Sequence, residues 1–255
     1  MSEWTYAAIL TAALGLAVGS FLNVCIYRIP AGKSIVTPPS HCPTCENRLR
    51  PPDLIPVISY LFLKGRCRYC KTPVSHRYPL VEALTAFLFL LVFLELGFET
   101  ALFKHLFLTA LMITIAFIDL DHYIIPNRLV LAGLIAGALF LPVTGDLSLL
   151  SALYGALSAS GFLLILYIVS RGGMGMGDIK LAAVIGIFLG WPMALLAVFL
   201  ACFLAGILGI VLIVTGIKKR KDPIPFGPFL AAGTFITSLW GPELASLYRD
   251  FLLGF

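Results

Sequence analysis

Apolar residues run through this chain in blocks long enough to cross a bilayer core, which takes about 20 residues as helix, and polar residues gather in a few short connections. The blocks predict eight spans, at about 5–27, 80–97, 103–118, 129–144, 149–170, 179–190, 192–216 and 226–241. The fourth is short and ends at Leu141-Pro142. The sixth and seventh form one apolar stretch of about forty residues, divided at Gly190-Trp191-Pro192 because glycine and proline interrupt a helix. The first block has no basic lead-in and no convincing small-residue cleavage site, so it reads as a retained span rather than a signal peptide. The expected fold is all-α: a polytopic membrane helical bundle of about eight spans, with one extramembrane loop domain at residues 28–78.

Composition removes the soluble alternative. Of 255 residues, 60% are apolar and 12% charged, whereas soluble domains run near roughly 45–50% and 25%. The net charge of +5 says little by itself; its placement says more, because Lys and Arg near span ends mark the cytoplasmic side. If residues 28–78 are inside, the connections at 119–128, 171–180 and 217–225 fall on the same side. Sixteen of the 18 Lys and Arg then face inward, leaving Lys104 and Arg249 outside. This orientation puts both termini outside. Moving one break would carry half the charges to the wrong face, so the charge pattern also supports the span count. The chain thus divides into a first span (1–27), a cytoplasmic loop (28–78) and a membrane-embedded remainder (79–255).

A loop of about 50 residues is too small to build a self-sufficient core and needs a staple. Pro38, Pro39, Pro51, Pro52 and Pro56 disfavour long helices there, so short turns and ribbons are expected. No low-complexity tract or sequence repeat is evident. Four of the six cysteines lie in this loop as Cys42-x-x-Cys45 and Cys67-x-x-Cys70, with 21 residues between the pairs. That spacing is close to the paired knuckles of a tetrahedral four-thiolate zinc site, which would be structural because four thiolates leave no position for water. The rival reading is two disulfides, which the reducing side assigned to the loop disfavours. His41 and His76 could replace a ligand but read more readily as solvated loop histidines, and Cys25 and Cys202 as small buried hydrophobes rather than reactive thiols.

Ionisable groups at membrane depth cost roughly 2.5–3.5 kcal/mol on insertion scales, so each is a functional candidate. Span three ends in Ile118-Asp119-Leu120-Asp121-His122, and span six opens with Gly175-Met176-Gly177-Asp178-Ile179-Lys180, which places Asp119 and Asp178 in the same leaflet. Two carboxylates close enough to share a proton can serve as acid and base to activate water and release an amine. Gly175 and Gly177 would permit close backbone approach beside the acid. Two plainer readings stand beside this one: Asp178 as the N-cap of span six, and Asp119 to Asp121 as a wet turn closing span three. Asp121, two residues from Asp119, would point to a different helix face and ranks below it.

Taken in order, these pieces resemble the bifunctional type IV prepilin peptidases, membrane aspartic proteases of the GxGD kind. The likeness is carried by Gly19-Ser20-Phe21-Leu22-Asn23-Val24 with Arg28 and Pro30, the cysteine knuckles, and Arg77-Tyr78-Pro79-Leu80-Val81-Glu82. It continues through Asp119 with Ile125-Pro126-Asn127, Gly175-Met176-Gly177-Asp178-Ile179-Lys180 and Pro225-Phe226-Gly227-Pro228. The resemblance implies a bacterial inner-membrane enzyme that cleaves the leader of prepilins and pseudopilins after glycine at the cytoplasmic face. It also implies N-methylation of the new terminus from S-adenosylmethionine. By matching position, Asp119 and Asp178 become the catalytic pair, with Gly175, Gly177, Glu82 and Lys180 supporting. Gly65 matches a position linked to methylation, although it also reads as an ordinary turn glycine. Glu82 could bind the new amino group or pair with a nearby Arg.

No G-x-G-x-x-G on a strand–helix unit is present, so nothing resembles a soluble Rossmann-type methyltransferase. A transporter would need a polar path across the bilayer, but the outward halves of the spans lack acids apart from Glu95 near an end. A non-catalytic assembly protein with a zinc docking module predicts that both aspartates tolerate substitution. Nucleic acid is not an expected partner, because the nine Lys and Arg of the loop are accounted for by topology and anionic lipid.

Overall fold

The computed structural model describes residues 3–219 and 222–253. Arg220 and Lys221, two of the charges used to orient the chain, and the extreme termini lie outside the described residues. The described residues are helical or irregular, with two isolated bridges, His41 to Arg48 and Arg66 to Pro73, and no strands. They form two compact units, Met1–Leu102 and Phe103–Phe255.

In the first unit, α1 (Glu3–Arg28) packs along α3 (Arg77–Leu96). The sequence of α1 dictates how closely. Ala7, Thr11, Gly15 and Gly19 recur every four residues, so they form one small-residue face, and all four are buried. A Cβ on Gly15 would lie 2.6 Å from Ala86 Cα, and one on Gly19 2.7 Å from Glu82 Cα, so the two backbones meet where only glycine fits. Asn23 Nδ2 donates to the Tyr78 carbonyl at 3.0 Å at the loop end of the pair, and Trp4 packs on Phe93 at the other.

Between these helices the loop holds a 3-10 turn (Pro51–Asp53) and α2 (Ile58–Phe62), the short elements expected of a proline-rich segment. The structure adds a repeat that the residue types hid. In the first knuckle, Cys42 N–H donates to Asn47 O, Glu46 N–H to Cys42 O and Leu49 N–H to Ser40 O. In the second, Cys67 N–H donates to Thr72 O, Lys71 N–H to Cys67 O and Val74 N–H to Gly65 O. Glu46 and Lys71 also share a positive φ, 57° and 61°. One backbone pattern is thus built twice from dissimilar side chains.

The second unit comprises most of α4 (Thr100–His122) with α5 (Asn127–Thr144), α6 (Leu149–Val169), α7 (Met176–Leu189), α8 (Met193–Val214) and α9 (Gly227–Leu253). Helix α7 is its axis: Asp178, Ile179, Leu181, Ala182, Val184, Ile185, Gly186 and Phe188 are buried, and α5, α6, α8 and α9 all pack on it. Small residues again set the approach. A Cβ on Gly186 would sit 2.2 Å from Ala156 N of α6, and one on Gly233 of α9 2.3 Å from Ala197 O of α8.

Every expected span is a helix. Six helices are long and apolar enough to cross a membrane, α1, α3, α4, α5, α6 and α8, which makes this a multi-pass membrane protein. Helix α7 has only 14 residues, and the break after it falls at Gly190 (φ 69°), where the expected interruption lies. The last helix runs past the expected end at 241 to Leu253, across a kink at Trp240 (φ −123°, ψ 19°). Pro242 accounts for the kink, since a proline near the start of the renewed helix loses no needed hydrogen bond. Pro142 is likewise tolerated in the last turn of α5, which closes on left-handed Gly145.

Candidate active site and metal centre

Three helix ends of the second unit converge. Asp119 comes from the last turn of α4, Asp178 from the first turn of α7, and Gly227 opens α9. Gly227 N–H donates to Asp119 Oδ2 at 2.7 Å, so the carboxylate is held at a helix N-terminus, where free N–H groups favour an anion. A Cβ on Gly227 would lie 2.8 Å from that same oxygen, so the helix can approach only as glycine. Asp119 and Asp178 are both buried, at 5% and 7% exposure. Asp178 Oδ2 turns back toward Gly175, whereas Asp178 Oδ1 is buried with no hydrogen-bond partner among the described residues. An orphaned carboxylate oxygen is costly in a core and calls for a functional explanation.

The N-cap of α7 is Gly175, which makes Asp178 the third helical residue rather than the cap. Asp121 is exposed, unlike Asp119. The remaining pieces of the pattern explain one another. Lys180 Nζ donates to Asn127 Oδ1 at 3.0 Å, tying α7 to the start of α5, and a Cβ on Gly177 would lie 2.9 Å from Ile125 Cβ. The Ile125-Pro126-Asn127 segment therefore braces the turn that carries Asp178.

Glu82 has a partner that neither expectation named. It belongs to the first unit, is buried, and its Oε2 accepts the Val57 N–H at 2.7 Å. That partner is a backbone donor, which no sequence signal marks. Gly65 has φ 68°, and a Cβ there would lie 2.7 Å from Tyr60 Oη. The Tyr60 hydroxyl itself bonds His76 Nδ1 at 2.8 Å and donates to Val74 O at 3.3 Å. Gly65 is thus a turn glycine required twice over, by its dihedral and by the ring against it.

The four loop cysteines come together with their Sγ atoms all within 4.8 Å of one another, and none forms a disulfide. Cys42 Sγ and Cys70 Sγ are 3.8 Å apart, and a tetrahedron with Zn–S bonds near 2.3 Å has edges of about 3.8 Å. The cluster could therefore hold a metal such as zinc. The Thr72 hydroxyl and backbone beside Cys70 pull its thiol down to about 6, toward the thiolate a metal needs. Asp53 braces the second knuckle. Its Oδ1 accepts from Arg68 Nε, and its Oδ2 from Arg50 N–H and the Tyr69 hydroxyl. Burial alone would raise the Asp53 carboxyl, but Arg68 and the Arg50 N–H outweigh it and hold the group below the usual range.

A buried carboxylate pair at converging helix ends and a four-cysteine cluster that could hold a metal, in one multi-pass membrane chain, define the class of protein. Residues 13–96 match the bacterial peptidase A24 N-terminal domain, and residues 106–210 match the type IV leader peptidase family. The chain belongs to the type IV leader peptidase family. It is 37% identical to the prepilin leader peptidase/N-methyltransferase of Bacillus subtilis, over 94% of this chain and 97% of the relative. It is also 37% identical to that of Pseudomonas aeruginosa, over 94% and 93%, and 43% identical to that of Myxococcus xanthus, over 81% and 63%. No solved structure matches the chain.

Proposed function

We propose that this chain is a bacterial inner-membrane aspartic endopeptidase and N-methyltransferase, which removes the leader of prepilins or pseudopilins after glycine and methylates the new terminus. The observation that carries the reading is the arrangement of two buried carboxylates, one pinned by the Gly227 N–H and the other with an unpartnered oxygen. In the proposed reaction one aspartate is ionised and takes a proton from water as its oxygen adds to the scissile carbonyl carbon. The other is protonated and gives its proton to the carbonyl oxygen. The resulting diol collapses, a proton passes to the amide nitrogen, and the C–N bond breaks to leave a carboxylate and an amine.

The loop of residues 28–78 would serve the methylation half. Cys42, Cys45, Cys67 and Cys70 would hold a structural Zn2+, and Gly65 would keep the turn beside Tyr60 in shape. S-adenosylmethionine, when bound, supplies a methyl group to the freed amine. The loop and both aspartates would face the cytoplasm, a placement that the charge distribution favours.

Mass spectrometry of a co-expressed prepilin reads leader loss and methyl gain separately. Asp119→Asn and Asp178→Asn should each abolish leader loss, the double variant should be no worse, and Asp121→Asn should retain activity. Folded Asp178→Asn enzyme that still removes the leader at near wild-type rate would overturn the mechanism.

A further inference from the structure

We propose that residues 54–63 are an interfacial anchor that lies in the headgroup region of the bilayer, with the outer face of α2 against phospholipid. The reading concerns this loop alone and does not rest on the proposed catalysis. Its first support is a local concentration of exposed apolar surface in a loop otherwise rich in charge. Leu54 is 41% exposed, Ile55 45%, Ile58 48%, Leu61 67% and Phe62 83%. Ile58, Leu61 and Phe62 stand at helical positions i, i+3 and i+4, so they share one face of α2. Tyr60 is turned the other way, onto Gly65, Val74 and His76, and thereby fixes the apolar face outward. An apolar patch of this kind marks a contact with something other than water.

The second support is depth. Val57, the N-cap of α2, is held to the Glu82 carboxylate at 2.7 Å. Glu82 is the sixth residue of α3 (Arg77–Leu96), a membrane-crossing helix, and so stands about 7.5 Å along it at 1.5 Å per residue. Helical side chains lean toward the N-terminus, so Glu82 reaches back to the level of the first turn. That is the level of Tyr78, a half-exposed aromatic at a span end, where aromatic residues sit at the interface. Val57 holds this position at φ 59°, a conformation a β-branched residue adopts only when its surroundings impose it. The latch thus brings α2 to the membrane surface.

The third support is charge. Lys64 and Arg66 follow α2 immediately and are exposed, which suits the anionic headgroups beside an inserted apolar face. Lipid explains the apolar face, the depth and the cationic rim together, whereas a second copy or a substrate would explain only the first.

The test replaces Phe62 in the full-length chain with a benzophenone amino acid, and Arg48 in a parallel variant. Both proteins are reconstituted into phosphatidylethanolamine–phosphatidylglycerol vesicles. The replaced side chains are exposed, so neither change disturbs packing. Irradiation should give phospholipid adducts at position 62 several-fold above those at 48, read by intact-protein mass. Adducts at 62 no more frequent than at 48 would overturn the anchor. Adducts that join two copies, or that switch to an added prepilin at the expense of lipid, would also overturn it and assign the face to that partner.

Discussion

Replacing Gly227 with Ala isolates one contact of the candidate site. Gly227 has no positive φ, so alanine carries no backbone penalty there, and its only fault is its methyl group. That carbon would lie 2.8 Å from Asp119 Oδ2, 3.0 Å from its Cβ and 3.1 Å from its Cγ. The carboxylate and the helix start must separate by several tenths of an ångström, which stretches a 2.7 Å hydrogen bond along the same line. A hydrogen bond to a charged group contributes about 1.5–3 kcal/mol. If it positions Asp119 in the transition state, its loss lowers kcat/KM by about 10- to 150-fold at 1.36 kcal/mol per decade. The assay is leader removal by purified enzyme, with kcat and KM separated and thermal unfolding measured alongside. The loss should fall on kcat, since the contact lies on the reacting group. Activity within twofold of wild type, in a protein that binds substrate normally, would refute the role given to the α9 terminus.

Three further outcomes follow from the same geometry. Cys42→Ser should reduce bound zinc from one per chain, by metal analysis, and diminish methylation far more than cleavage, because Asp119 and Asp178 belong to the other unit. Gly186→Ala, whose Cβ would meet Ala156 N at 2.2 Å, should cost about 3 kcal/mol because backbone cannot move aside, whereas Gly161→Ala, with open space, should stabilise α6 by about 0.5–1 kcal/mol in denaturation of the detergent-solubilised protein. Asp146 bonds buried Lys104 and Thr144. Burial would raise its carboxyl, but these partners win and hold it below the ordinary value, so its contribution is complete above about pH 4 and lost as pH falls. Unfolding of Asp146→Asn should therefore differ from wild type at neutral pH and converge with it in acid.

The helices were legible in the sequence because apolar blocks and their breaks are local properties: Gly190-Trp191-Pro192 ends α7 for reasons contained in those three residues. The cysteine spacing was legible for the same reason. The partners that set the geometry were not. Nothing near Gly227 announces a carboxylate 108 positions earlier in the chain, and nothing near Glu82 announces the backbone of Val57. The second knuckle was hidden as a copy of the first because its repeat resides in N–H and C=O groups, which every residue carries alike.

The length of α7 has a consequence for where solvent can stand. Fourteen residues rise about 21 Å, against a hydrocarbon slab of about 30 Å. Trp191, just beyond its far end and 57% exposed, is the kind of residue that settles at a lipid–water boundary. If Trp191 moors that end at one boundary, the end bearing Asp178 would stop about 9 Å short of the other. Hydrophobic mismatch of this size is relieved by thinning the leaflet or by admitting a dent of water. Hydrolysis by the proposed aspartate pair would need such a dent, and a truncated helix is a simple way to dig one.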